Sequence, residues 1–532
     1  MENSYKIGLD FGTTNSIVSY LNDSGILEAF QYGGPDGQKY IPSFIAYEDD
    51  YTEIGVGART TATSSPNIES YGNFKMRLPL AESEFANYFE SNRNPMGVTT
   101  DYLRELLVAN EYSFREQQGK IAGLVVSVPE IWQRDIYNIG RERLQKLIQD
   151  LDIPLIQLVS EPVAAASYYA WEMQRRTQQQ ETEPFQGNLL VCDMGGGTFD
   201  VCLCNVRGDN KVEVLYFEGQ GDKGLDSAGV AFDRRVVQQA YIKKHGFPLE
   251  ENDPKFVRLL REFETVKISK HSKITNTLIN CLKTPNEFSE KVIYTFGDDG
   301  YIVTFSEIIE AFAPICQGIQ EVMQKIKNFI DTEKINIDKL FLVGGFSQFI
   351  LVQKAIAEAL GIEESDPRFD RKFNMEKSAY AISYGACLIA NGLIDPTEKY
   401  VHTLGIILDT INAEAEREER LIPIIKGGVV LDDLATPQFA DIRPIHSYHE
   451  TPKITLWVDP QSKGNFFKEL LPDTVKLPDF SENDQWRIGI RVNRSQVAYL
   501  VIEEARGKKR VEYELGNVII KMFPGGFVLF ED

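Results

Sequence analysis

Cysteine is scarce in this chain, six in 532 residues and scattered, which excludes a disulfide framework. Cys202 and Cys204 alternate on a predicted strand and so face one way, with Cys192 on the strand before. No Cys-x-x-Cys accompanies them, so they read as small apolar core residues; a metal or redox role is the rival reading. His446 and His449 lie in a loop-like stretch without further ligands and read as surface. Basic residues are short against acidic ones, 56 to 78, for a net charge of -22. A chain this acidic is not built to grip a phosphate backbone, which excludes nucleic acid and favours protein or small-molecule partners. No apolar stretch approaches the ~20 residues of a membrane span. Met1 to Lys6 runs straight into an apolar strand, leaving no room for a signal peptide. A cytoplasmic protein without membrane association is expected.

What is present is a repeated motif. Tyr5-Lys-Ile-Gly-Leu-Asp10-Phe-Gly12-Thr13-Thr14 and Asn188-Leu-Leu-Val-Cys-Asp193-Met-Gly195-Gly196-Gly197-Thr198-Phe-Asp200 each carry an apolar run into an aspartate and then a glycine turn with threonine. The apolar runs read as buried strands. Glycine lets the turn bring backbone N–H groups against an anion with no Cβ in the way, which makes a phosphate nest. Two such nests, each preceded by a carboxylate able to hold the water shell of Mg2+, predict two related lobes closing on one nucleoside triphosphate.

With 43% hydrophobic and 25% charged residues the chain is an ordinary globular one, long enough for at least two domains. From residue 1 to 394 apolar strands such as Leu124 to Val128 alternate with amphipathic helices, among them Gln133 to Asp150 and an alanine-rich one at Val163 to Tyr169. This is an α/β pattern with buried sheets. Trp171 to Gly187, rich in Gln, Arg and Glu, reads as a solvated connection. Residues 395–402, Asp395-Pro-Thr-Glu-Lys onward, read as a linker. Residues 403–532 turn to short alternating strands, with one helical pattern at Ala413 to Arg420, and predict a smaller β-rich domain. Arg506-Gly-Lys-Lys-Arg, flanked by Glu503, Glu504, Glu512 and Glu514, reads as a solvated hairpin.

Further signals follow the first loop in fixed order: Lys75, Val128-Pro129, Glu161-Pro-Val-Ala-Ala-Ala, Asp193 to Asp200, Glu264-Thr-Val-Lys267, Leu342-Val-Gly344-Gly345 and Tyr384-Gly-Ala. This series resembles the heat shock protein 70 (DnaK-type) chaperones of the actin-like ATPase superfamily. The resemblance covers about three quarters of the chain with good specificity, and the rest in outline. It implies a two-lobed actin-like ATPase domain with duplicated ribonuclease-H-like lobes over 1–394, with outer subdomains at about 40–114 and 233–303, followed by a β-rich substrate-binding-like domain without the helical lid.

The resemblance places Asp10 and Asp193 on hydrated Mg2+. Gly12, Thr13 and Thr14 meet the phosphates of ATP or ADP from one lobe, and Gly195, Gly196 and Thr198 from the other. Lys75 neutralises the γ-phosphate, and Glu161 and Asp200 position the attacking water or accept its proton. Glu264 and Lys267 meet the ribose and adenine side, and Gly344 and Gly345 complete the nucleotide contacts. Structural rivals stand beside these roles: Asp10 and Asp193 as turn formers, Glu161 as a helix cap, Lys75 as a solvated lysine.

The chain also departs from the family pattern. Ile268 and Gln348 stand where the family stacks adenine between two arginines, a loss of roughly 0.5 to 2 kcal/mol each, so ATP is held more weakly or the base pocket is built differently, with Phe346 a candidate. The register of Gly221 to Gly229 is ambiguous. Tyr137 replaces an arginine that couples the domains, with Arg134 or Arg141 as substitutes. The linker is polar, with little apolar surface to dock. Two functions compete. One is an ATP-hydrolysing chaperone that couples nucleotide state to binding of unfolded or extended polypeptide, with a co-chaperone or nucleotide-exchange factor. The other is a nucleotide-held scaffold for one dedicated protein partner, with weak or no hydrolysis. A filament-forming actin relative and a metabolite kinase are further, weaker readings.

Overall fold

The computed structural model describes residues 3–34, 37–48, 51–65, 67–90, 92–133, 138–180, 185–208, 210–220, 228–250, 253–363, 366–369, 378–411, 417–442, 444–446, 455–459, 462, 464, 467–470, 485–506 and 509–516. They form two compact units that do not follow chain order. Met1–Arg77, Phe89–Ile131 and Asp150–Asp395 make one; Leu78–Tyr88, Trp132–Gln149 and Pro396–Asp532 make the other.

The first unit holds two sheets of matching plan. In one, the strand Ser4–Phe11 pairs antiparallel with Asn15–Leu21 and parallel with Lys120–Val128. In the other, Gly187–Met194 pairs antiparallel with Phe199–Val206 and parallel with Lys339–Val343. The first strand of each plan is buried along its C-terminal half, as its apolar run requires. Cys192 and the Cys202/Cys204 pair are fully buried on opposite faces of the second sheet. All three are core residues, and the Cys202 and Cys204 sulfurs lie 3.3 Å apart.

Two helices, Glu161–Gln180 and Ala381–Ala390, pack together, with backbones closest at Gly385 and the Tyr168 and Tyr384 rings in edge contact. A Cβ on Gly385 would fall 1.7 Å from the Ala164 carbonyl oxygen, and one on Gly8 2.2 Å from the Cys387 nitrogen. Ser19, on the strand Asn15–Leu21, donates to Ser383 on the helix Ala381–Ala390, 2.8 Å. Glu161–Gln180 corrects the solvated connection read at Trp171 to Gly187, since the helix runs on through Gln180. Gln, Arg and Glu are good helix formers. Glu172, only 2% exposed, is held by Arg175 and Arg176 one turn on.

Between the strands of the two sheets lie smaller insertions. One holds a three-stranded sheet of Phe44–Glu48, Tyr51–Ile54 and Glu69–Gly72 with the helix Gly55–Ser64. The other holds the helices Gly229–His245, Pro254–Ser269 and His271–Lys283 and a hairpin of Val292–Phe296 with Tyr301–Thr304. Asp253 caps Pro254–Ser269 by accepting from the Lys255 N–H, with proline at the first helical position.

The second unit is β-rich. One sheet orders Arg417–Ile425, Thr403–Ile411, Thr455–Asp459 and Phe467–Leu470; another orders Gln438–Phe439, Gln485–Val492, Ala498–Glu504 and Arg510–Gly516. Arg417–Ile425 corrects the C-terminal half of the helical pattern read at Ala413 to Arg420, whose residues 413–416 lie outside the described ones: Arg417 to Arg420 pair with Thr403–Ile411, and ladder pairing overrides their helix propensity. The basic segment from Arg506 joins two paired strands, the hairpin its acidic neighbours predicted.

From Glu398 on, the residues read as a linker are part of this unit's interior. Glu398, Tyr400 and His402 are buried, and Tyr400 N–H donates to Val429 O. The polar segment is therefore fixed by backbone pairing and packing, a route its composition did not show. Within the same unit Arg141, on the helix Asn138–Asp150, is buried and donates from Nε to Ser495 O, 3.1 Å. Of the two proposed substitutes for a coupling arginine, Arg141 thus meets the β-rich segment; Arg134 and Tyr137 lie outside the described residues, as do Gly221 to Ser227 and His449.

Candidate functional site: a carboxylate cluster between two glycine turns

The two hairpin turns of the first unit open on one cavity of about 980 Å³. Every residue expected at the site lines it except Asp200. The turns approach face to face: a Cβ on Gly196 would sit 2.5 Å from Thr14 Oγ1, and one on Gly197 2.9 Å from Thr13 Oγ1. Gly195 in the second turn, and Gly345 beyond the strand Lys339–Val343, have nothing within 4 Å of an added Cβ, so backbone there is bared to the cavity.

Asp10 and Asp193 end the two first strands. Asp10 Oδ1 accepts from Ser127 Oγ, 3.2 Å. Asp193 has no such serine; its parallel neighbour is Val343, followed by Gly344. Gly344 has φ +80°, and a Cβ there would lie 2.3 Å from Asp193 Oδ1, so glycine is required twice over.

Lys75, 1% exposed, sits in the short helical turn Phe74–Arg77 and donates to Glu161 Oε1 at 2.5 Å. Its rival reading as a solvated lysine is overturned by this burial. Glu161 opens its helix, as the cap reading had it, and also points into the cavity. Asp200 is fully buried, with Oδ1 accepting from Ile131 N–H at 3.2 Å and Oδ2 left without a hydrogen-bond partner.

Burial, then the charge of Glu161, pushes the Asp10 carboxyl up to about 7 against the pull of Lys75 and Ser127. The same two causes lift Asp200 to about 7. Asp193 is raised well above the carboxylate range by burial, then by Glu161, Asp200 and Asp10. Four carboxylates thus face one ammonium, an imbalance that a divalent cation relieves. Among the described residues no group of three or more His, Cys, Asp or Glu is placed to share a metal ion. A cation here would take Asp10 and Asp193 and fill its shell with water and phosphate oxygens, the habit of Mg2+. The residues present fit that ion.

Further along the cavity Lys267 bonds both oxygens of Asp233, at 2.6 and 2.5 Å, with its ammonium 5.6 Å from the Phe346 ring. Burial raises Asp233 to about 6 against this lysine. Glu264 lies 3.7 Å from Arg59. Asp233 and Gly229, both lining the cavity, went unassigned in the sequence reading. Asp233 is marked only by its tertiary partner. Gly229 carried a signal, the glycine closing Gly221 to Gly229, and its N–H donates to Gly195 O at 3.1 Å, as Val230 does to Gly196 O at 2.9 Å.

The sequence pattern of the family described as Hsp70 protein matches residues 86–409. Similar curated proteins include the Chaperone protein HscA homolog of Pseudomonas paraeruginosa, 24% identical over 385 residues, covering 68% of this chain and 55% of that protein. Chaperone protein DnaK of Metamycoplasma hominis is 26% identical over 368 residues, 67% of this chain and 55% of that one. DnaK of Thermus thermophilus is 24% identical over 387 residues, with coverages of 67% and 57%. The chain spans about half the length of the curated relatives it matches. No described helix is long and apolar enough to cross a membrane. With the family pattern running over more than half of its residues, and through Glu161, the second glycine turn and the second-lobe aspartates, the chain belongs to the Hsp70 protein family.

Proposed function

We propose that this protein is a Mg2+-dependent ATPase acting as a chaperone, in which nucleotide state alters the grip of the β-rich unit on extended polypeptide. The observation that carries the reading is the buried cluster of Asp10, Glu161, Asp193 and Asp200 with Lys75, set beside two glycine turns that line one cavity. Asp10 and Asp193 are the residues that would hold the cation, and Gly12, Thr13, Thr14, Gly195, Gly196, Thr198, Gly344 and Gly345 those that would cradle the phosphates. Bound Mg2+ supplies neutralisation of phosphate charge. Lys75 adds a fixed positive charge, and its bond to Glu161 orients that carboxylate. Asp200 stands opposite Asp193 behind the second turn, outside the cavity lining, and its affinity for protons near neutrality suits it to take a proton relayed from an attacking water. Phosphoryl transfer asks for little beyond such placement and charge stabilisation.

An extended peptide would add as a strand to an edge of one of the two β-rich sheets. Burial of Tyr400 and His402 favours a second reading, a nucleotide-held scaffold with one dedicated partner, because it fixes the entry to the β-rich unit. Single-turnover ATP hydrolysis, comparing the protein with Glu161→Gln and Asp193→Ala, separates the two. Turnover lost in both variants supports the ATPase; tight nucleotide binding with no turnover in the parent protein supports the scaffold.

A further inference from the structure

One aromatic side chain lining the cavity stands apart from the residues placed around phosphate and cation: Tyr40. Its position is set by the first hairpin. Asp10 pairs with Ile17 across the ladder, and on the far side of that strand Asn15 and Ser16 pair with Pro42 and Ile41. Tyr40, the next residue out, comes level with Ile17, so Asp10, Ile17 and Tyr40 stand abreast. Opposed residues of antiparallel strands share a face, and all three line the cavity. Ser43, on the other side of Pro42, is bonded to the first turn twice: its N–H donates to Thr14 O at 2.9 Å and its Oγ to Gly12 O at 2.7 Å. Tyr40 is thereby tied to the turn that carries Gly12, Thr13 and Thr14.

A row of tyrosines backs its ring. The Tyr40 and Tyr380 centroids are 5.1 Å apart and those of Tyr380 and Tyr384 5.4 Å, and Tyr384 meets Tyr168 edge-on at 5.5 Å, on the helix that Glu161 opens. Burial first, then the neighbouring Tyr380 hydroxyl, and less strongly the charge of Asp10, hold the Tyr40 phenol above its ordinary 10.0, so it keeps its proton at neutral pH. Two phenols that bond each other spend one hydrogen between them and keep one to give. Tyr40 is also 39% exposed, open enough to meet a ligand.

We infer that Tyr40 is a phosphate-binding residue of this site, its hydroxyl donating to a phosphate oxygen of the bound nucleotide while Tyr380 backs the ring. This rests on the nucleotide reading proposed above, and the test separates the two. The intact protein is footprinted with hydroxyl radicals, with and without ADP and Mg2+, and oxidation is read by mass spectrometry at Tyr40 and at Tyr112, which is similarly exposed at 41% and does not line the cavity. ADP is expected to remove most of the oxidation at Tyr40 and to leave Tyr112 unchanged. In calorimetric titration Tyr40→Phe, which keeps the ring and removes only the hydroxyl, is expected to weaken ADP by about tenfold or more, as for a lost hydrogen bond to a charged group. If ADP binds while Tyr40 stays as reactive as before, or if Tyr40→Phe binds ADP within about threefold of the parent, the inference is overturned and the nucleotide reading stands. Failure of the parent protein to bind ADP overturns both.

Discussion

The two hairpins that carry the glycine turns share a register yet differ at the position across from the aspartate. Asp10 and Asp193 occupy the same place, one pair before the turn, and both turns span four residues. Across the ladder Asp10 faces Ile17, whereas Asp193 faces Asp200. The duplicated frame therefore supplies two like carboxylates, and the second lobe alone adds an acid behind the turn. On the proposed function, the two lobes would share the cation equally, while the second alone would supply a base.

Removing that extra acid should have the largest effect. Asp200→Asn is expected to lower single-turnover hydrolysis by about 10²- to 10⁴-fold, in the range for a lost general base, with ADP affinity measured calorimetrically unchanged within about threefold. A smaller loss, or a matching loss of affinity, would return Asp200 to a structural role and make the lobes equivalent. Gly344→Ala should come next. Its Cβ strikes Asp193 and its backbone has positive φ, so we expect a destabilisation of about 1–3 kcal/mol in urea unfolding. Gly345→Ala, with open space at its Cβ, serves as the control.

Titration offers a gentler probe. Asp10 and Asp200 have folded-state values raised to about 7 from an ordinary 3.8. Between those values the folded protein binds protons that the unfolded chain has released, so this contribution is fully present below about pH 4 and is lost as pH rises through 7. The nucleotide- and metal-free protein should therefore melt at a higher temperature at pH 6 than at pH 8. Asp200→Asn should flatten that slope; a slope unchanged in the variant would mean the carboxyl is not carrying it. The smallest effect is expected from Ser127→Ala, which removes the hydrogen bond that Asp10 has and Asp193 lacks. A stability loss of about 1 kcal/mol in urea unfolding, with hydrolysis within about threefold of the parent, would make the two aspartates more alike.

The duplication was legible because its cause is local. A strand, an aspartate and a glycine turn declare themselves within a dozen residues, and Asp10, Asp193 and the turn glycines all proved to face one cavity. Lys75 was harder to read, since nothing near it in sequence announces that a carboxylate 86 positions away will bury it. Asp233 failed for the same reason, being defined by Lys267. Trp171 to Gln180 misled because charge was taken for exposure, whereas Glu172 is buried by its own helix's arginines. Arg417–Ile425 misled because ladder pairing with Thr403–Ile411 is a long-range cause.

Gly8 and Gly385 bring backbone against backbone where the two central helices meet the first sheet. A library randomised at these two positions should return glycine under selection for folding alone, with no demand for activity, because a single methyl group already exceeds the space available. At about a quarter identity to its relatives, the chain has explored much of sequence space, and these contacts mark a part of the molecule with no room to explore.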